Sequence, residues 1–168
     1  MEYRLQTIQQ LVKKSIFKNI FNILSNKSDL EYAAIDGTIS KVHRHEQGAV
    51  GGTRNQAIGH SRGGVTTKIM ALVDALGNLV KFVLLPGNKH DIAGVLALIE
   101  NTDIQALLAD KAFDADWLFQ ELDGRGGKAV IAQKSNRKNP RILDKEMYKW
   151  RHLVENYFTK LKEYKRIA

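Results

Sequence analysis

Two apolar runs, Thr67 to Ala75 and Leu79 to Leu85, are separated only by Leu76-Gly77-Asn78. Gly-Asn between strand-like runs is a hairpin signal, because glycine supplies the backbone conformation a tight turn demands. A hairpin this apolar must be completed by further strands and covered. Upstream, Tyr32-Ala-Ala-Ile-Asp36-Gly-Thr-Ile39 reads as a central strand with Asp36 inside it. Downstream, Pro86-Gly87-Asn88 ends the second hairpin strand, and Asp91 is placed to cap a helix running to about Glu100. Ile104 to Ala109 forms a short apolar strand that delivers Asp110 at its carboxyl end. Asp114 to Leu122 reads as a helix stopped by Asp123-Gly124-Arg125-Gly126-Gly127, and Ala129 to Ala132 as a brief strand. The expected fold is therefore α/β, a mixed sheet with three antiparallel strands and then parallel ones joined by crossovers, flanked by helices. In such a sheet the strands carrying Asp36 and Asp110 can lie side by side, with both carboxylates at one end.

Before the sheet, Leu5, Ile8, Leu11, Val12, Ile16, Ile20 and Leu24 recur at helical spacing, predicting a helix broken near Ser15 and ending by Ser28. From Ser40 to Thr66 no apolar periodicity survives and glycines and cations dominate, which predicts a long functional loop. Gln133 to Arg141 is a second, basic loop. The formal net charge of +8 points to a polyanionic partner, with nucleic acid ahead of a membrane surface, although a merely soluble basic protein has the same charge. The absence of cysteine excludes disulfides and thiolate metal sites and suits a reducing cytoplasm. No apolar run approaches the roughly 18 residues of a membrane span.

The last helix, starting near Asp144, aligns Tyr148, Arg151, Glu155 and Lys162 within roughly a 60° arc. Beside that line, Trp150, Leu153, Val154, Tyr157, Phe158 and Leu161 form an apolar stripe expected to dock on the core. Glu155 then lies at the edge of a buried face, where it could join Asp36 and Asp110. Each acid also has a plainer reading. Asp36 can be a hydrogen-bonded structural aspartate, and Asp110 a strand-end or helix-cap residue. Asp114 opens the next helix and suits capping better than metal binding. Glu155 can form an ion pair with Arg151, four residues before it. Neither Gly51-Gly52 nor Gly63-Gly64 sits between a strand and a helix, so neither is a phosphate-cradling fingerprint. His43, His45 and His60 invite a zinc site, but in a glycine-rich loop without cysteine they are better read as part of a DNA-contacting segment.

Asp36-Gly-Thr-Ile-Ser-Lys-Val-His-Arg-His, the run from Ser61-Arg-Gly-Gly to Leu72-Val-Asp, and Leu108-Ala-Asp110-Lys-Ala-Phe-Asp resemble insertion-sequence transposases of the DDE superfamily. The closing Tyr148-x2-Arg151-x3-Glu155-x6-Lys162 is similar to that family's signature on its glutamate helix. The resemblance runs from about Asp29 to the last residue, leaving 1–28 as an N-terminal helical segment and 29–168 as a catalytic domain shortened at its C-terminus. It implies a ribonuclease-H-like fold, with Asp36, Asp110 and Glu155 holding two Mg2+ ions or, in their place, Mn2+. Hard divalent cations favour such all-oxygen ligands, and a pair of them suits in-line phosphoryl displacement.

The same resemblance gives Arg151 and Lys162 the role of holding DNA phosphates and Tyr148 that of orienting a strand end. Lys41, Arg54, Arg62, Lys134 and Arg137 are further expected DNA contacts. The implied partners are double-stranded DNA, as element ends and target, and either further copies of the chain or an upstream-frame product. No membrane partner is expected, and the implied location is the bacterial cytoplasm at the nucleoid. Three other readings compete. They are a catalytically silent DNA binder, a nuclease of the same fold without strand transfer, and an RNA-binding domain, which lacks the aromatic stacking run such modules use.

Overall fold

A computed structural model describes residues 2–26, 28–42 and 56–164. Helices α1 (Glu2–Lys13) and α2 (Ile16–Ser25) are separated at Ser15, whose φ of 55° is left-handed, so the expected break falls where the periodicity placed it. Nothing on α2 is buried; Phe21 meets the ring of Phe82 edge-on at 6.0 Å, while Ile23 and Leu24 stay exposed.

The sheet is built from β1 (Ala33–Lys41), β2 (Gly59–Ser61), β3 (Gly64–Val73), β4 (Leu79–Pro86), β5 (Ala106–Ala109) and β6 (Lys128–Ile131). Its order is β2-β3-β1-β5-β6, with β4 also on β3. β3 runs antiparallel to β1, β2 and β4, whereas β5 is parallel to β1 and β6 to β5. This is the mixed arrangement expected of a ribonuclease-H-like sheet. The hairpin between β3 and β4 closes on Asp74, which accepts hydrogen bonds from the backbone of Leu76 (3.0 Å) and Asn78 (2.8 Å). Gly77 takes the positive φ, 81°, that this turn requires.

Because side chains alternate along a strand, the two sheet faces carry separate cores. One face sets Ile35, Met70, Leu72 and Leu107 against α3 (Val95–Ile99) and α4 (Asp116–Gly124), with Phe113 between them. The other sets Ala34, Ala71, Val73, Leu108 and Val130 against Val154 and Phe158 of the C-terminal helix. Small residues on that second face let the helix approach closely, which brings its polar edge near the sheet.

Five expectations are corrected. Residues 40–66 are not all loop: β1 continues to Lys41, and β2 pairs with the start of β3. That ribbon is an edge held by backbone pairing, so it leaves no apolar periodicity. Asp91 caps nothing; it opens a 3-10 turn, Asp91–Gly94, and its carboxylate pairs with Lys68 of β3. Asp114 does not cap α4 either, because Ala115 holds that position and the Asp114 carboxylate is claimed by arginines of the 133–141 loop. The last helix is not continuous. Asp144 caps α5 (Lys145–Tyr148) by accepting from Met147 N at 3.0 Å, a 3-10 turn spans Lys149–Arg151, and α6 runs His152–Lys162. The tighter winding there turns Tyr148 relative to the helix that follows, whereas Arg151, at the end of the turn, still meets Glu155 four residues on. Trp150 is also half exposed, beside Tyr32 at 6.1 Å, rather than part of the buried stripe.

Candidate active site

The register of β1 on β5 pairs Ala33 with Leu107 and Ala34 with Leu108. Carried on two residues, it sets Asp36, in the middle of β1, beside Asp110, just past the carboxyl end of β5. Alternation also decides the face. Ala34 and Leu108 point towards α6, so Asp36 and Asp110 lie on the side that this helix covers. Ligand sites in open α/β sheets gather at this strand end.

Asp36 keeps about a quarter of its side chain exposed. Its Oδ1 accepts from Gly37 N at 2.7 Å, and its Oδ2 lies 3.4 Å from Nη1 of Arg151. Burial pushes its carboxyl above the ordinary aspartate range. The Gly37 N–H and Arg151 work against that rise, whereas the charges of Asp110 and Asp91 add to it. Asp110 Oδ1 accepts from Ala112 N at 2.7 Å, starting a 3-10 turn over Lys111–Phe113. The strand-end and capping readings of Asp110 therefore both hold, and among the described residues its second oxygen accepts no hydrogen bond.

Arg151 links the sheet to the helix. One Nη faces Asp36 and the other binds Oε1 of Glu155. The tyrosine ring of Tyr148 lies 5.8 Å from its guanidinium carbon. Burial opposes the Arg151 charge, but Glu155, Tyr148 and Asp36 more than offset it, and its pKa lies above the ordinary arginine value. Glu155 is half exposed, less buried than the apolar stripe led us to expect, and meets Asp36 only through the guanidinium. Among the described residues no three acids or histidines are gathered closely enough to cage a metal ion without rearrangement.

The remaining expected contacts are scattered. Lys162 is exposed at the end of α6, Lys41 at the end of β1 and Arg62 in the turn between β2 and β3. Arg54, His43 and His45 lie outside the described residues. Arg137 turns inward, reaching Asp114 Oδ1 at 2.5 Å and Asp116 at 2.7 Å, while Lys134, exposed, donates its backbone N–H to Asp114 Oδ2 at 2.8 Å and its Nζ to the Asp114 carbonyl at 3.2 Å. Arg141 binds Asp116 as well and lies over the Phe119 ring at 3.6 Å. These partners hold the Asp114 carboxyl below the ordinary range, with the Arg137 hydrogen bond leading.

Sequence reasoning missed two features. The contact of Arg151 with Asp36 spans 115 positions and leaves no local signal. Asp91 stands close to Gly37, its Oδ1 3.4 Å from where a Cβ on that glycine would be, and so adds a fourth carboxylate to the surroundings of Asp36. Only its place after a strand-ending Pro86-Gly87 hinted that it would return to the sheet end.

A family model described as a transposase DDE domain matches residues 27–168. A Brucella ovis protein named as a candidate transposase for insertion sequence element IS6501 is 36% identical over 106 residues, covering 62% of this chain and 82% of that protein. A cryo-EM structure of a piggyBac transposase synaptic complex with hairpin DNA superposes with a TM-score of 0.48 at 13% identity. That match covers 68% of this chain, which spans only 25% of the solved one.

Proposed function

The chain belongs to the transposase DDE domain family, and from that premise we propose that it cuts the ends of an insertion element and joins them to target DNA. Asp36, Asp110 and Glu155 are the proposed metal ligands, in a catalytic part covering 29–168 that follows the helical segment 1–28. The observation that carries this reading is the pairing of Asp36 with Asp110 at one sheet end, tied by Arg151 to Glu155.

The donor set fits the implied ions. All three side chains offer carboxylate oxygens, the ligands hard divalent cations favour. Burial and two neighbouring acids make the Asp36 charge costly, and a cation would relieve that cost. Two Mg2+ ions, or Mn2+ in their place, would supply charge stabilisation for both the attacking and the leaving oxygen of an in-line displacement.

The chain's own side chains position the DNA. Lys162, Lys41 and Arg62 are exposed cations suited to backbone phosphates, and Arg151 offers a planar fork that matches a phosphate's two oxygens. Tyr148, packed against that fork, orients the strand end. In the first step water attacks phosphorus and the bond to the leaving 3′ oxygen breaks. The products are a free 3′-hydroxyl and a 5′-phosphate. In the second step that hydroxyl attacks a target phosphodiester, and one target 3′-hydroxyl leaves. Neither step needs a covalent bond to the protein.

Incubation with duplexes bearing the element's own ends, target DNA and Mg2+ tests this. Joined products that vanish in Asp36→Asn, Asp110→Asn and Glu155→Gln support it; unchanged cutting in all three removes these residues from catalysis. The half-exposed Glu155, held off Asp36 by a guanidinium, favours one second reading, a DNA binder that does not cut. It predicts affinity that falls steeply with salt and no nicking under the same conditions.

A further inference from the structure

We infer that Arg151 bridges Asp36 and Glu155 as a shared cation would, and that a divalent ion binds these carboxylates only by displacing it. The inference rests on the metal-ligand reading above and concerns what the ion must compete with.

Two observations converge on it. The two guanidinium ends are divided between the two acids, one to each, so a single positive charge spans them as a shared ion would. Arg151 keeps only a fifth of its side chain exposed although its helical neighbour Glu155 is half exposed. A solvated pair on one helix face would leave both outside; the reach to Asp36 is what draws the arginine in.

Competition follows from this geometry. While the guanidinium holds both acids, the fraction of molecules ready for an ion is small, and apparent affinity falls in proportion to that fraction. Displacement frees a planar, permanently charged group beside the reacting centre, where a DNA phosphate is its natural next partner. Arg151 is then a positioning residue in two states: a brace for the ligands without an ion, and a phosphate grip with one.

The test measures Mn2+ binding to the full chain directly, by the electron paramagnetic resonance signal of free Mn2+, without DNA and without turnover. With a bridge closed in about nine molecules of ten, Arg151→Ala should bind Mn2+ about tenfold more tightly than wild type. Arg151→Lys keeps the charge but cannot span two carboxylates with a planar fork, and should fall between them. It also carries the test if the alanine variant fails to fold. Equal or weaker binding in the variants, with binding lost in Asp36→Asn, overturns the bridge and leaves the metal ligands standing. Binding that survives unchanged in Asp36→Asn and Asp110→Asn overturns the metal-ligand reading itself, and the bridge with it.

Discussion

Asp110 stands beside Asp36 on the neighbouring parallel strand, and its charge adds to the cost of ionising Asp36. Burial supplies the larger share of that cost, so the folded protein holds the Asp36 proton more tightly than the unfolded chain does. Lowering the pH through the raised value relieves the cost, and the gain is complete once the unfolded carboxyl, near 3.8, is also protonated. Metal-free wild type should therefore gain stability relative to Asp36→Asn as pH falls from 7 towards 4. Urea unfolding of both proteins at several pH values measures this, and a constant difference would contradict it.

Asp114 makes the opposite prediction. Its side chain is 1% exposed and holds Arg137, Arg141 and the Lys134 N–H, so its removal strips that amide of its acceptor and leaves both arginines only the exposed Asp116. Asp114→Ala should cost about 3 kcal/mol, lowering Tm by roughly 6–12 °C for a domain of this size. Its folded carboxyl lies below the ordinary range, so its contribution is present above about pH 3.8 and is lost as pH falls through the depressed value. Thermal unfolding of wild type and variant at pH 7 and pH 3 should show the gap between them closing.

Phe158 and Val154 are the buried anchors that dock α6 on the small residues of the sheet. Phe158→Ala should destabilise by roughly 3–5 kcal/mol. Because Glu155 sits one turn before Phe158, strand cleavage should fall more steeply than the folded fraction measured by circular dichroism. Cleavage that tracks the folded fraction would mean that α6 does not position the site.

Gly87 is buried against Thr66, and a Cβ there would come within 1.8 Å of the Thr66 hydroxyl oxygen and 2.9 Å of its backbone carbonyl. Backbone on one side cannot yield as a flexible side chain would. Gly87→Ala should cost at least about 1–3 kcal/mol, read as a lower urea midpoint with an unchanged slope.

Much of this was legible in the residues themselves. Hydrophobic period separated strands from helices, Gly77-Asn78 marked the hairpin, and Asp144 announced the start of the last helical segment, each through interactions spanning a few positions. The order of elements then made neighbours of the strands bearing Asp36 and Asp110. Asp91 and Asp114 show where such reading ends. Both have the right residue type for a helix cap, but each found a stronger partner, Lys68 and Arg137, more than twenty positions away.

The chain's pattern alone thus determined the main strands and helices, though not β2 or the break in the last helix, together with the basic character and the three acids in family context, because these depend on local backbone preference and side-chain type. Tertiary structure alone decided that Arg151 reaches Asp36, that Glu155 stays half in solvent, and that Arg137 turns inward. Those outcomes depend on Coulomb attraction balanced against burial between groups that only the folded sheet brings together.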